Sequence, residues 1–151
     1  MTHVVIADAA AMEALGARLA PLLRAGDLVL LEGDLGAGKT TLTRGLGAAL
    51  GTREPITSPT FVLAREHPTA SGIPLVHVDA YRLATAAELD DLDLDWEGAI
   101  VVVEWGAGKI DPASDRLEIA IEREPGGDPL DEDAPRRGRI SGVGGGWGGG
   151  P

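Results

Sequence analysis

Residues 31–46 read LEGDLGAGKTTLTRGL, and the organisation of the whole chain can be worked out from them. Gly33, Gly38, Lys39 and Thr40 satisfy G-x-x-x-x-G-K-[ST], the pattern of a loop that cradles phosphate. The glycines let successive backbone N–H groups turn inward as an anion-binding nest. A helix beginning near Lys39 would aim its positive dipole end at a β-phosphate. Lys39 is placed to neutralise β- and γ-oxygens, and the Thr40 hydroxyl to bind Mg2+. The nucleotide-binding residues of this loop are then Asp34, Leu35, Gly36, Ala37, Gly38, Lys39, Thr40 and Thr41, with Lys39 also catalytic. The flanks agree with the motif. DLVLLEG (27–33) is a continuous apolar run, as in a strand buried on both faces. TTLTRGLGAALG (40–51) reads as a helix with Gly51 as its stop signal.

GAGK occurs a second time, inside VVVEWGAGKI (101–110). This copy has no glycine where the pattern should begin, and Ile110 replaces the Ser/Thr. Asp111-Pro112 disfavours an uninterrupted helix after it. It is no guanine-reading N-K-x-D either, because Gly108 stands in place of the asparagine. Asp95-Trp96-Glu97-Gly98 spells D-x-x-G, but ahead of a strand rather than after one. One phosphate site is expected.

The second stretch contributes Glu104 instead. The apolar run Ile100 to Val103 ends in this carboxylate, which gives a Walker-B-like strand. An acid there lies at the carboxyl edge of the sheet, where open α/β sheets hold their ligands. Beside a phosphate loop, Glu104 joins Thr40 as a candidate Mg2+ ligand; the plain alternative is a solvated strand end. LVHVD (75–79) repeats the pattern, so Asp79 is a candidate to approach the metal or to orient an attacking water. His77 within that strand reads as a packed histidine.

Outward from these motifs, VVIA (4–7) is a short strand. Asp8 caps a helix carrying Met12, Leu15, Leu19 and Leu22 or Leu23, which Gly26 ends. TREPITSPT (52–60) is a loop, and FVLAREH (61–67) and IPLVHVDAY (73–81) are strands joined by a turn at PTASG. TAAELDDLDLDWEG (85–98) is an acidic helical segment with Leu89, Leu92 and Trp96 on one side. AIVVVEW (99–105) is a buried strand and RLEIAIERE (116–124) a half-exposed one; GRISGV (138–143) adds a short edge strand. The expected fold is a single α/β domain over residues 1–143, its mostly parallel sheet flanked by helices. Residues 144–151, a Gly-rich stretch containing Trp147, are expected to be a disordered tail.

Composition bounds the function. The 151 residues suffice for one ordinary domain. Without cysteine, disulfides, thiolate metal sites and thiol nucleophiles are excluded. The N-terminus lacks a signal-peptide pattern and no apolar run approaches a membrane span, so a soluble cytoplasmic protein is expected. A net charge of −11 disfavours unaided binding to nucleic acid.

Taken together, GDLGAGKTTLTRGL, TSPTF (57–61), HVDAYRL (77–83) and VVVEW (101–105) occur in that order and at compact spacing. The set resembles the bacterial TsaE family, the small P-loop ATPases of tRNA threonylcarbamoyladenosine biosynthesis, from the first strand to about residue 123. The resemblance implies that Lys39 and Thr40 are the family's loop lysine and threonine, and Glu104 its metal-binding glutamate. Trp105 would lie beside the nucleotide, Asp79 would be the essential aspartate, and Thr57, Ser58 and Thr60 would lie near the γ-phosphate. It also implies ATP and Mg2+ as cofactors and the TsaB–TsaD heterodimer as partner. The resemblance further implies that TsaD transfers threonylcarbamoyl to adenosine 37 of tRNAs reading ANN codons and that ATP hydrolysis by this subunit would reset the complex between turnovers. The chain departs from the family at Ala107 and Gly108, where many relatives carry an acid, and in its tail.

Two other functions compete with this one. A small-molecule kinase needs arginines converging on the phosphates, whereas Arg44, Arg53, Arg65 and Arg82 are scattered along the chain. A nucleotide-dependent binding module would hold ATP without turning it over. A GTPase lacks its base-reading motif here.

Overall fold

The run Leu28–Gly33 forms a central strand, and its apolar residues face both ways. In the computed structural model Val29 and Leu31 pack into one core and Leu28 and Leu30 into another, on opposite faces of a sheet. The structure describes residues 2–33, 37–52, 64–80, 83, 85–90, 92–105, 115–123 and 134–143. The strands are β1 (Thr2–Ile6), β2 (Leu28–Gly33), β3 (Ala64–His67), β4 (Leu75–Asp79), β5 (Ile100–Glu104), β6 (Arg116–Arg123) and β7 (Arg136–Val143). The helices are α1 (Ala9–Leu19), α2 (Lys39–Leu50) and the short α3 (Ala86–Asp90). The expected loop 52–60 beyond Thr52, the first residues of strand 61–67, the second GAGK and the tail 144–151 lie outside the described residues.

The strands form one sheet in the order β1-β7-β6-β2-β5-β4-β3. Its centre, β6-β2-β5-β4, is parallel throughout. Both flanks are antiparallel, with β3 on β4 and with β7 and β1 beyond β6. The sheet is therefore mixed, and parallel around β2, which ends at Gly33. Helices α1 and α2 cover one face through Met12, Leu15, Leu19, Leu42 and Leu46. On the other face Leu83, Leu89, Leu92, Leu94 and Trp96 cover β2, β4 and β5.

Three expectations change. α1 does begin with Asp8, whose carboxylate accepts from the Ala11 N–H at 2.8 Å, but it stops at Leu19 rather than at Gly26. Pro21 has no N–H to continue the helical ladder. The chain turns through a 3-10 segment (Ala20–Leu22) that leaves Leu22 exposed and buries Leu23. The segment 85–98 is helical only over α3; Asp95 then bonds the Gly98 N–H at 2.9 Å, a local turn that competes with a helix. Strand β7 has eight residues and lies between β6 and β1, so the edge is β1. No helix among the described residues is long and apolar enough to cross a membrane.

Candidate functional site

β2 ends at Gly33 and α2 begins at Lys39, so the glycine-rich segment joins a strand end to a helix N-terminus. Gly38 precedes that helix at φ 112°, a left-handed conformation that a side chain would strain. Cα substitution there would also press on the Met12 side chain of α1. Lys39 is buried, and its Nζ donates to the Gly33 carbonyl at 2.6 Å. The same ammonium lies 3.8 Å from the centroid of the Trp105 ring, over its face, where the ring quadrupole attracts a cation. Trp105 follows β5 at φ 64°, an unusual backbone for a bulky residue. Its N–H donates to the Leu31 carbonyl at 3.3 Å.

Side-chain alternation brings the acids to the same place. Ile100 and Val102 of β5 point into the core under α1 and α2, so Glu104 falls on that face. Leu75 of β4 sets the same phase, which puts His77 and Asp79 there too. Glu104 is buried, and each carboxylate oxygen lies 3.5 Å from the Thr40 hydroxyl at the start of α2. His77, fully buried, donates from Nε2 to Glu104 Oε2 at 2.5 Å. Its Nδ1 has no hydrogen-bond partner among the described residues. Asp79 pairs in register with Glu104 across the β4–β5 ladder and is half-buried. The next N–H, that of Ala80, donates to the Glu104 carbonyl at 2.8 Å.

The donors here are hard oxygens. Among the described residues no group of three His, Cys, Asp or Glu is arranged to hold a metal. A hydroxyl and one carboxylate suit Mg2+, which keeps several waters and takes phosphate oxygens rather than a complete protein cage. Thr40 and Glu104 therefore fit the ion that the sequence implies.

Lys39, Thr40, Glu104, Trp105 and Asp79 thus converge from α2, β5 and β4. Ala37 and Gly38 lead into them and Thr41 follows on α2, half-buried. Asp34, Leu35, Gly36, Thr57, Ser58 and Thr60 lie outside the described residues. Two residues at the site were not among the candidates read from the sequence. His77 is packed, as expected, but is also the close partner of Glu104. Arg136 opens β7, is 3% exposed, and donates from Nε to the Ala37 carbonyl at 3.2 Å. It also donates to the Ala134 carbonyl at 2.6 Å. Only the sequence R-R-G-R-I, with an arginine in phase with Ile140, hinted at a guanidinium on the inner face.

This architecture has known counterparts. A family model described as threonylcarbamoyl adenosine biosynthesis protein TsaE matches residues 6–128. The tRNA threonylcarbamoyladenosine biosynthesis protein TsaE of Streptomyces coelicolor is 56% identical over 141 residues, covering 90% of this chain and 93% of that protein. The protein of the same name from Bacillus subtilis is 40% identical over 107 residues, covering 69% of this chain and 66% of its own length. The crystal structure of Bacillus subtilis YdiB matches with a TM-score of 0.70 at 31% identity, covering 95% of this chain and 86% of that one.

Proposed function

The chain belongs to the TsaE family, and from that membership we propose that it is a Mg2+-dependent, ATP-hydrolysing subunit of tRNA threonylcarbamoyladenosine biosynthesis. The relatives' names supply the process. The observation that carries the ATPase reading is the meeting of Lys39, Thr40 and Glu104 at the end of a parallel strand pair. A cationic helix start facing a strand-end carboxylate is what a P-loop NTPase reading requires, and it supports that reading.

In this reading Lys39 exchanges the Gly33 carbonyl for the β- and γ-phosphate oxygens of ATP. Backbone N–H groups from Gly36 to Thr41 hold the β-phosphate, together with Asp34 and Leu35 of the same loop. Thr40 and Glu104 would hold Mg2+, which would supply positive charge to offset the negative charge developing on the phosphates. Asp79 orients the attacking water, and Thr57, Ser58 and Thr60 line the γ-phosphate. Trp105 packs beside the nucleotide. The partner is the TsaB–TsaD heterodimer, whose transfer of threonylcarbamoyl to adenosine 37 of ANN-reading tRNAs is reset by hydrolysis. tRNA is met only through that complex, in the cytoplasm.

The test is Mg2+-dependent phosphate release by the purified chain, alone and with TsaB–TsaD. Weak turnover that rises with the heterodimer is expected, with ATP preferred over GTP. Lys39→Ala should lose ATP binding, and Glu104→Ala should bind ATP without hydrolysing it. Full turnover by Glu104→Ala would remove the metal role assigned to that residue. Phosphate transfer to an acceptor other than water would replace the hydrolase with a kinase.

A further inference from the structure

Arg136 lies beyond residues 6–128 that the family model matches, yet its guanidinium reaches back 99 positions to the loop at Ala37. We propose that Arg136 is a positioning residue for the phosphate loop, acting through the Ala37–Gly38 peptide; this rests on the reading of residues 33–40 as the phosphate site.

No peptide bond among the described residues is cis. In a planar trans peptide the carbonyl of one residue and the N–H of the next point in opposite directions. Arg136 Nε holds the Ala37 carbonyl on the β7 side at 3.2 Å, so the Gly38 N–H is turned to the other side. That N–H belongs to the nest that would meet a β-phosphate. Gly38 has no side chain to hold its left-handed backbone (φ 112°), so this peptide's orientation depends on its partners. The guanidinium is itself anchored, because Nη1 donates to the Ala134 carbonyl at 2.6 Å and to the Pro135 carbonyl at 3.4 Å. Its planar fork can hold two carbonyl groups at once, whereas a lysine ammonium in its place has no such fixed geometry. β7 thereby becomes part of the nucleotide site although none of its residues belongs to a nucleotide motif.

The test compares full-length wild type, Arg136→Met and Arg136→Lys by calorimetric titration with ADP and with ATP–Mg2+. Both nucleotides carry a β-phosphate, so both affinities should fall together in Arg136→Met, by about tenfold or more. In turnover the loss should fall on KM, with kcat at saturating ATP held within about twofold, because the contact is made alike in ground and transition states. Arg136→Lys should regain only part of the affinity. Wild-type affinity in folded Arg136→Met would overturn the proposal, as would a loss confined to kcat. If both variants fail to fold, the wild-type chain still decides: the Arg136 Nε–H signal in 15N NMR should shift on adding ADP, and an unmoved signal overturns the proposal. A wild-type chain that takes up neither nucleotide would sink the phosphate-loop reading along with it. Tight binding by wild type and Arg136→Met alike would sink only the role of Arg136.

Discussion

Glu104 is 4% exposed beneath the helix pair, and a carboxylate taken out of water is costly unless hydrogen bonds replace what water supplied. His77 supplies the nearest of them. Replacing the ring by leucine would leave Oε2 without that donor while filling similar space. We expect His77→Leu to lose about 2 kcal/mol of stability in urea unfolding. The double variant His77→Leu/Glu104→Leu should recover most of that loss, because removing both partners leaves no stranded polar group. It should remain unable to hydrolyse ATP. A single variant as stable as wild type would show that the ring does not support the carboxylate. The site was legible in the sequence where chemistry and position coincide, as for Lys39 in a glycine-rich loop and for Glu104 closing an apolar strand. His77 was not legible as a partner, since a lone histidine among valines carries no mark of a carboxylate 27 residues away. That pairing depends on β4 and β5 lying side by side in parallel register, with His77 opposite Val102 and Asp79 opposite Glu104.

At the scale of elements, the position of α2 matters most, because Lys39 and Thr40 are its first residues. α1 holds it there at very close range: a methyl group on Gly45 would run into the Glu13 carbonyl oxygen of α1. Both sides of that contact are backbone, so no side chain can rotate away. Alanine improves helix propensity over glycine by about 1 kcal/mol, but overpacking typically costs about 1–3 kcal/mol, and rigid backbone belongs at the upper end. Gly45→Ala should therefore destabilise the chain by about 1–2 kcal/mol in urea unfolding and weaken ATP binding as α2 shifts. A gain in stability would mean that the helices separate freely. The elements that sequence patterning rendered well, β2, α2 and β5, are those whose apolar spacing matches a covered face. Two others followed different physics. Leu89, Leu92 and Trp96 do share a core at helical spacing, but the aspartates between them favour local turns over a continued helix, and Asp93 sits at φ 54°. The sequence pattern starts the last strand only at Gly138, whereas β7 begins two residues earlier, at Arg136. Arg137 and Arg139 are exposed on the outer face, while Arg136 is buried against carbonyl groups.

At the scale of the whole molecule, the candidate site ties together α2, β5, β4 and β7 across most of the sheet's width, so a ligand held there should stabilise the fold as a unit. At a nucleotide concentration about 100-fold above Kd, linkage gives about 2.7 kcal/mol. For a domain of this size that is a rise in Tm of several degrees, which Lys39→Ala should abolish; a wild-type Tm indifferent to ATP–Mg2+ would count against the site.

Charge sets the opposite expectation for RNA. The chain carries −11 overall, and the arginines on the outer face of β6 and β7 have acidic neighbours. Arg116 lies 2.6 Å from Glu118 and Arg139 lies 3.6 Å from Glu122, which also faces Arg137 in register. Affinity for a phosphate backbone comes chiefly from cations that release its counterions, and at these arginines a tRNA would have to compete with carboxylates while the net negative charge of the chain repels it. The purified chain should therefore retain no tRNA in filter binding at about 0.15 M salt, where screening acts over about 8 Å. Retention should appear only when TsaB–TsaD is added. Binding by the chain alone with a steep salt dependence would show that its own arginines contact RNA, and tRNA would then have to be counted as a direct partner.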